Sequence, residues 1–270
     1  MNTLKKIFKI QRLNNPFNNI KSRNILVVGA SSGIGFAIAD LLRKSGAEVF
    51  VAARRLSVLE KNFSKHYAFE TDVTDSDEIE SLFNKLIQRE LQIDTVFWCP
   101  GIYTPMNFKD FNIEEANQIL NTNFSCVFRP FSLMINYWLK NKTLFKQKSI
   151  HWVWISSVAG YRGLPGAVAY GPSKAAMNNL AEASHVELKT LGINISLVCP
   201  GFVKSRLTKK NNFKMPAIIT PEEAAKSILN GLKDGKFEIH FPKRFTMWLK
   251  LLNFLPNWLY FKLVKSLQKN

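Results

Sequence analysis

Tyr170-Gly-Pro-Ser-Lys174 is the stretch of this sequence best equipped for chemistry. A tyrosine and a lysine at i and i+4 lie on one face of a helix, so the ammonium can sit beside the phenol. Such a neighbour favours the ionised phenol and lowers a pKa that starts near about 10, which makes Tyr170 an acid or base usable near neutrality. Ser157 lies thirteen residues upstream at the end of an apolar run, where its hydroxyl can stabilise charge growing on a carbonyl oxygen. Gly29-Ala-Ser-Ser-Gly33-Ile-Gly35 follows the first such run. Its glycines permit a tight turn and let backbone N–H groups and a helix N-terminus approach a pyrophosphate. Together these groups could move a hydride to or from a carbonyl carbon. Each also has a plainer reading: the glycines as an ordinary strand-to-helix turn, Ser157 as a strand end, Tyr170 as a core residue with Lys174 snorkelling beside it. Their joint order and spacing favour the chemistry.

The elements that must position these groups are legible as an alternation. Between Asn24 and Phe241, short β-branched or aromatic runs (25–28, 48–52, 67–70, 95–98, 150–156, 194–198 and 237–241) alternate with helical patterns (35–45, 76–89, 113–140, 170–191 and 221–232). That order predicts βαβ units in a doubly wound α/β (Rossmann) fold, a parallel sheet with helices on both faces. Several runs are continuously apolar, as strands covered on both faces should be. The last helix opens with Thr220-Pro-Glu-Glu, a cap, a proline and two acids.

Nineteen residues beyond Gly35, at the end of the second strand, stand Arg54 and Arg55. An acid there would hold an adenosine ribose, whereas an arginine can hold a 2'-phosphate, so NADP(H) is the expected cofactor with NAD(H) as the alternative. The plain alternative is a solvated basic pair. Asp72-Val73 follows the third strand and could meet an adenine, although Asp72 before Thr74 and Asp75 is also ordinary turn chemistry.

With 270 residues and 46% hydrophobic content the chain can bury one sizeable core. The formal charge of +17 is concentrated at the ends: residues 1–23 and 241–270 each hold six basic side chains and no acid, which leaves 25 basic against 20 acidic residues between them. Nucleic-acid binding is not expected from so even a middle. The chain divides into a basic extension (1–23), a dinucleotide-binding and catalytic unit (24–241) and a basic, aromatic, amphipathic segment (242–270). Cys99, Cys126 and Cys199 lie far apart, which argues for a reducing compartment, and no secretory signal is apparent, so a cytoplasmic location is expected. His66, His151, His185 and His240 show no metal spacing, and no metal is expected.

In the final segment, Phe245, Trp248, Leu249 and Leu252 share a helical face, as do Tyr260, Leu263, Val264 and Leu267, with Pro256 between them. Lys250, Asn253, Pro256 and Lys262 interrupt it too often for a membrane span. Two outcomes stay open: a helix pair lying peripherally on an anionic membrane surface, or packing on its own domain or a partner subunit. Leu4, Ile7 and Phe8 opposite Lys5, Lys9 and Arg12 repeat the arrangement on a smaller scale.

These motifs resemble the short-chain dehydrogenase/reductase family, in its single-domain branch, over about residues 24–240. The resemblance implies a seven-stranded parallel sheet that binds a nicotinamide dinucleotide at the C-terminal ends of its strands. Its glycine motif corresponds to Gly29, Gly33 and Gly35, and its adenine-contacting acid to Asp72. Its catalytic residues correspond to Asn123, Ser157, Tyr170 and Lys174. Asn123 would hold a water linking Lys174 to solvent, and Lys174 the nicotinamide ribose. The Pro200-Gly201 turn would close over nicotinamide, with Ser205 where the family commonly has threonine. The implied cofactor contacts are Gly29, Ser31, Ser32, Gly33, Ile34, Gly35, Arg54, Arg55, Asp72, Val73, Pro100, Gly101, Tyr170, Lys174, Pro200, Gly201, Val203 and Ser205. Two places depart from the pattern. Val28 replaces a threonine, and Trp98-Cys-Pro-Gly101 replaces Asn-Asn-Ala-Gly; the two places adjoin in the family, so an apolar contact is expected in place of a polar one. The expected function is interconversion of a lipophilic ketone and a secondary alcohol, with 3-oxoacyl-thioester reduction or a non-catalytic membrane adaptor as alternatives. Residues 202–219 would form a substrate-facing lid, and relatives often assemble as homodimers or homotetramers.

Overall fold

Alternating residues of the first strand enter opposite cores, and this decides the architecture. Ile25 and Val27 join one cluster of buried side chains while Leu26 and Val28 join another. The computed structural model describes residues 12–146, 149–210 and 215–267. Seven strands, β1 (Asn24–Val28), β2 (Glu48–Ala53), β3 (Ala68–Glu70), β4 (Thr95–Trp98), β5 (Ile150–Ile155), β6 (Ile193–Pro200) and β7 (Glu238–Phe241), form one sheet. It is parallel throughout, in the order β3-β2-β1-β4-β5-β6-β7. This is the doubly wound sheet that the alternation predicts.

On one face pack α1 (Gly33–Lys44), α2 (Leu56–Phe63) and the later helix Pro221–Lys233; on the other pack α3 (Ser76–Gln88), α5 (Phe128–Lys140) and α6 (Tyr170–Lys189). The Pro221–Lys233 helix is α7, and α4 (Ile113–Asn123) lies beside α6. Helix α7 begins with the expected cap, in which Thr220 and Glu223 bond each other's backbone N–H reciprocally. Short α2 was not predicted.

The single helix expected over 113–140 is two. Pro130 lacks an N–H and its ring clashes with the carbonyl four residues back, so it is tolerated only in a first turn. The chain leaves helical geometry at Phe124, makes a 3-10 turn over Ser125–Val127 and restarts as α5, with Pro130 in the first turn. The break leaves Asn123 as the last residue of α4.

Val28 and Trp98 are partners across β1 and β4, as the two departures require, and both are buried in the same core. Trp98 stacks on Trp152 at 5.9 Å between ring centroids. An apolar contact thus stands where the family has a polar one.

The described part of the leading segment packs into the opposite core, the one that holds Ile25 and Val27. Phe17 is fully buried. Arg23 lies 4.0 Å above its ring and pairs with Asp94 at 3.1 Å, and Asn14 donates to the Ile195 carbonyl at 2.7 Å. These contacts close the end of the sheet where strands β4 and β6 begin. The expected Leu4, Ile7, Phe8, Lys5 and Lys9 arrangement lies outside the described residues.

After β7 the chain forms α8 (Lys243–Leu252) and α9 (Asn257–Leu267), separated at Pro256. Arg162 joins them, donating to the carbonyls of Leu252 at 2.5 Å and Leu255 at 2.9 Å and to Asn257 Oδ1 at 2.7 Å, with its guanidinium 3.8 Å from the Tyr260 ring. Lys250 pairs with Glu238, which also accepts from the Tyr161 hydroxyl. One side of this helix pair therefore packs on its own domain. Among the described residues no helix is long and apolar enough to cross a membrane.

Candidate active site

The segments after all seven strands contribute to one cavity of about 1350 Å3. A parallel sheet delivers its connections to the C-terminal edge, so residues far apart in sequence meet there. Every residue of the expected catalytic and cofactor set lines it except Asn123, which lies just behind its wall.

At the glycine turn, Gly29 has φ +81°, and a Cβ there would lie 2.9 Å from the Pro100 nitrogen. A Cβ on Gly35 would lie 2.5 Å from the Gly29 carbonyl oxygen. Neither position admits a side chain, and the resulting crease opens onto the N-terminus of α1. Ser32 makes no side-chain cap there. Its hydroxyl accepts instead from Arg206 at 3.0 Å.

Arg54 and Arg55 do different things. Arg54 lies 3.7 Å from the Asp72 carboxylate and is exposed, while Arg55 donates to the carbonyl and hydroxyl of Ser31 at 2.9 and 2.8 Å. Burial, with Arg206 and Arg54 nearby, lowers the Arg55 pKa from its usual value. Three guanidiniums therefore converge beside the glycine turn. Arg206 was missed in the sequence because it comes from the loop after β6, with no motif to mark it. Asp72 accepts from the Thr74 N–H and hydroxyl at 3.0 and 2.8 Å, so its turn role is real as well as its place in the cavity. Burial would raise its carboxyl, but the Thr74 bonds and Arg54 outweigh it and hold the pKa below the ordinary range.

At the other end, Tyr170 begins α6 and Lys174 follows one turn later, buried. The Lys174 ammonium donates to the Ile155 carbonyl at 3.0 Å and lies 5.8 Å from the Tyr170 ring centroid. Burial pushes the Tyr170 phenol up to about 12 against a hydrogen bond from Ser157, and Tyr103 and Cys199 add to the rise. The expected lowering of the phenol by Lys174 is therefore overturned. Desolvation is the largest cause of the rise. Lys174 is itself pushed down to about 8 by burial, against the nearby thiols of Cys199, Cys99 and Cys126. Tyr103 packs edge-on to Tyr170 at 5.0 Å and was not anticipated, since an isolated loop tyrosine carries no signal in sequence.

Asn123 is fully buried and its amide is engaged by protein. Its Oδ1 accepts from Ile102 N at 2.7 Å, and its Nδ2 donates to the Ile102 carbonyl at 3.0 Å and Ser173 Oγ at 3.1 Å. It pins the loop after β4 to α6. A Cβ on Gly101 would lie 3.5 Å from Asn123 Oδ1 and 3.6 Å from Lys174 Nζ, ordinary contact distances that place this loop against both. Beyond β6, Gly201 donates to the Phe241 carbonyl at 2.7 Å, and Ser205 folds onto Thr208 across from Gly33. Phe245, Leu249 and Leu252 of α8 and Val264 of α9 wall the apolar end of the cavity.

A sequence model described as short chain dehydrogenase matches residues 23–216. The chain is 32% identical over 242 residues to an uncharacterised oxidoreductase of Myxococcus xanthus, covering 87% of this chain and 93% of that one. Its fold is similar to that of a short chain dehydrogenase from Burkholderia cenocepacia in complex with NADP, with TM-score 0.77 and 18% identity over 90% of this chain and 98% of the other. It is also similar to that of a 3-ketoacyl-(acyl-carrier-protein) reductase from Brucella melitensis complexed with NADH, with TM-score 0.74 and 17% identity over 82% and 97%. The seven-stranded order, the creased glycine turn and the Ser157, Tyr170 and Lys174 cluster thus accompany a family match over most of the sequence, and the chain belongs to the short-chain dehydrogenase/reductase family, as an NAD(P)-dependent oxidoreductase of that type.

Proposed function

We propose that the protein is an NADP(H)-preferring reductase that interconverts a lipophilic ketone and a secondary alcohol. The observation that carries this reading is the meeting of Ser157, Tyr170 and Lys174 in the same cavity whose lining also gathers Arg54, Arg55 and Arg206. The residues fit the cofactor: Gly29 and Gly35 leave a crease for a pyrophosphate, and the three arginines suit the additional charge of a 2'-phosphate. A bound nicotinamide supplies the hydride or accepts it. Tyr170 gives its proton to the substrate oxygen in reduction, a task suited to a phenol that burial keeps neutral. Ser157 donates to the same oxygen as charge grows there. Lys174 holds the ribose hydroxyls, and Pro200, Gly201, Val203 and Ser205 bound the nicotinamide side. Leu164, Pro165, Phe202, Leu249, Leu252 and Val264 line the substrate end, which supports a lipophilic substrate.

A second reading, 3-oxoacyl-thioester reduction, is favoured by exposed Lys204, Arg206, Lys209 and Lys210 beyond β6, a surface complementary to an acidic carrier. The free thiols of Cys99, Cys126 and Cys199 support a reducing, cytoplasmic setting. Exposed Phe128 on α5 and Val186 on α6 support pairing into a homodimer or homotetramer.

The test is oxidation of NADPH and NADH with free ketones and with carrier-bound 3-oxoacyl groups. Tyr170→Phe should lower kcat about a hundredfold or more, as loss of a proton donor does. Arg54→Asp should raise KM for NADPH about tenfold while improving NADH. Retained turnover in the tyrosine variant would overturn the assigned acid, and tighter wild-type binding of NADH would overturn the cofactor preference.

A further inference from the structure

Helices α8 and α9 carry two apolar faces, and only one of them is covered. The inner side chains Phe245, Leu249 and Leu252 of α8, with Tyr260 and Val264 of α9, meet the domain or line its cavity. On the outside, Trp248 is 70% exposed, Phe254 85%, Trp258 69% and Phe261 63%, with Met247 and Leu251 also in solvent. An amphipathic helix that only packs on its own domain needs one apolar stripe. These outer residues are not scattered: Arg244, Met247, Trp248 and Leu251 share one side of α8, and Trp258, Phe261, Lys262 and Lys265 share one side of α9.

We propose that this outer face docks on an anionic lipid bilayer. Its composition selects that partner. Tryptophan and phenylalanine with lysines on one surface are what an interfacial helix presents to headgroups and upper acyl chains. All the charged side chains after Glu238 are basic, so a second copy of the same face would bring like charges together, whereas anionic headgroups neutralise them. The helices lie on the bilayer and do not enter it as a span, since neither is long and apolar enough to cross one. Arg162 and the Lys250–Glu238 pair fix the inner side to the domain, which leaves the outer side free to dock without unfolding the hairpin. The proposal rests on the reductase reading only for the meaning of the cavity behind these helices; the docking itself is read independently of turnover.

Full-length protein is floated with vesicles of equal parts phosphatidylcholine and phosphatidylglycerol at low salt, and with pure phosphatidylcholine. The expected result is flotation with the mixed vesicles and about tenfold less with pure phosphatidylcholine or in high salt, where surface charge is screened. A Trp248→Ser, Trp258→Ser and Phe261→Ser triple variant should lose flotation while oxidising NADPH with a water-soluble ketone at the wild-type rate, because none of the three lines the cavity. A Lys262→Glu, Lys265→Glu variant, which removes no apolar contact, should lose flotation too and guards against misfolding of the first. Absence of wild-type flotation, or equal flotation by both variants, would sink the proposal. So would sedimentation showing a wild-type dimer that the triple variant breaks, since the face would then belong to a second copy. If flotation behaves as expected but no ketone is reduced, docking stands and the reductase reading falls.

Discussion

Burial pushes the Lys174 ammonium down to about 8, so the residue that would hold the ribose loses its charge within an accessible pH range. Ketone reduction should therefore decline above about pH 8 in kcat/KM. Lys174→Arg, which stays charged throughout, should remove that alkaline limb while lowering the overall rate. A limb that persists unchanged in the arginine variant would assign it to another group. The same shift has a stability consequence of definite sign: the folded pKa is below the unfolded one, so the folded state binds fewer protons between about 8 and 10.5, and Lys174's contribution improves as pH rises through that window. Asn123 acts at this scale as a clamp. Asn123→Ala removes both partners of the part-buried N–H and carbonyl of Ile102 and should cost about 1–3 kcal/mol, read as a lower urea midpoint. Tyr170, Lys174 and Ser157 were legible as a set because two share a helix turn and the third ends a strand. The sign of the phenol's shift was not, because it depends on how much water the surrounding fold removes.

At the scale of elements, the glycine turn and the C-terminal hairpin frame the cavity from opposite ends. Gly29→Ala combines a positive φ with a Cβ pressed on Pro100, and should cost about 1–3 kcal/mol along with affinity for either nicotinamide cofactor. A thermal melt with and without NADPH separates the two losses. Arg162 ties α8 to α9 through three hydrogen bonds. Arg162→Ala should loosen the hairpin, raising KM for lipophilic ketones and speeding proteolysis after residue 252, with little change in the sheet. Equal proteolysis in both forms would place the tether elsewhere. Helix periodicity located α8 and α9 but could not say which face was covered. Both stripes are apolar, and only the position of Phe245 against Gly201 and Phe202 shows which one turns inward.

Over the whole molecule, the sheet buries His151 between its layers. Burial, with Arg23, Lys189 and His185 nearby, pushes the imidazole down to about 3 from 6.5. The unfolded chain therefore takes up a proton below pH 6.5 that the folded protein refuses until about pH 3, and stability falls with acid across that window. The loss should approach about 1.4 kcal/mol per pH unit, visible as a falling urea midpoint. His151→Gln should flatten the slope, and an unaltered slope would shift the effect to other groups. The basic surplus also divides at this scale: Arg23 is consumed inside the fold against Asp94, while the lysines of α9 remain on the surface.

The sequence by itself determined the parallel doubly wound sheet, the glycine turn, the Ser157, Tyr170 and Lys174 cluster and the hairpin's helical periods, because each is written in spacing along a short stretch. Tertiary structure alone decided that Arg206 and Tyr103 join the site, that Asn123 is spent on Ile102 and Ser173, and which hairpin face meets the cavity. Those outcomes depend on segments far apart in the chain being brought to one edge of the sheet, and on the water displaced there. Neither quantity has a local signature in the residues themselves.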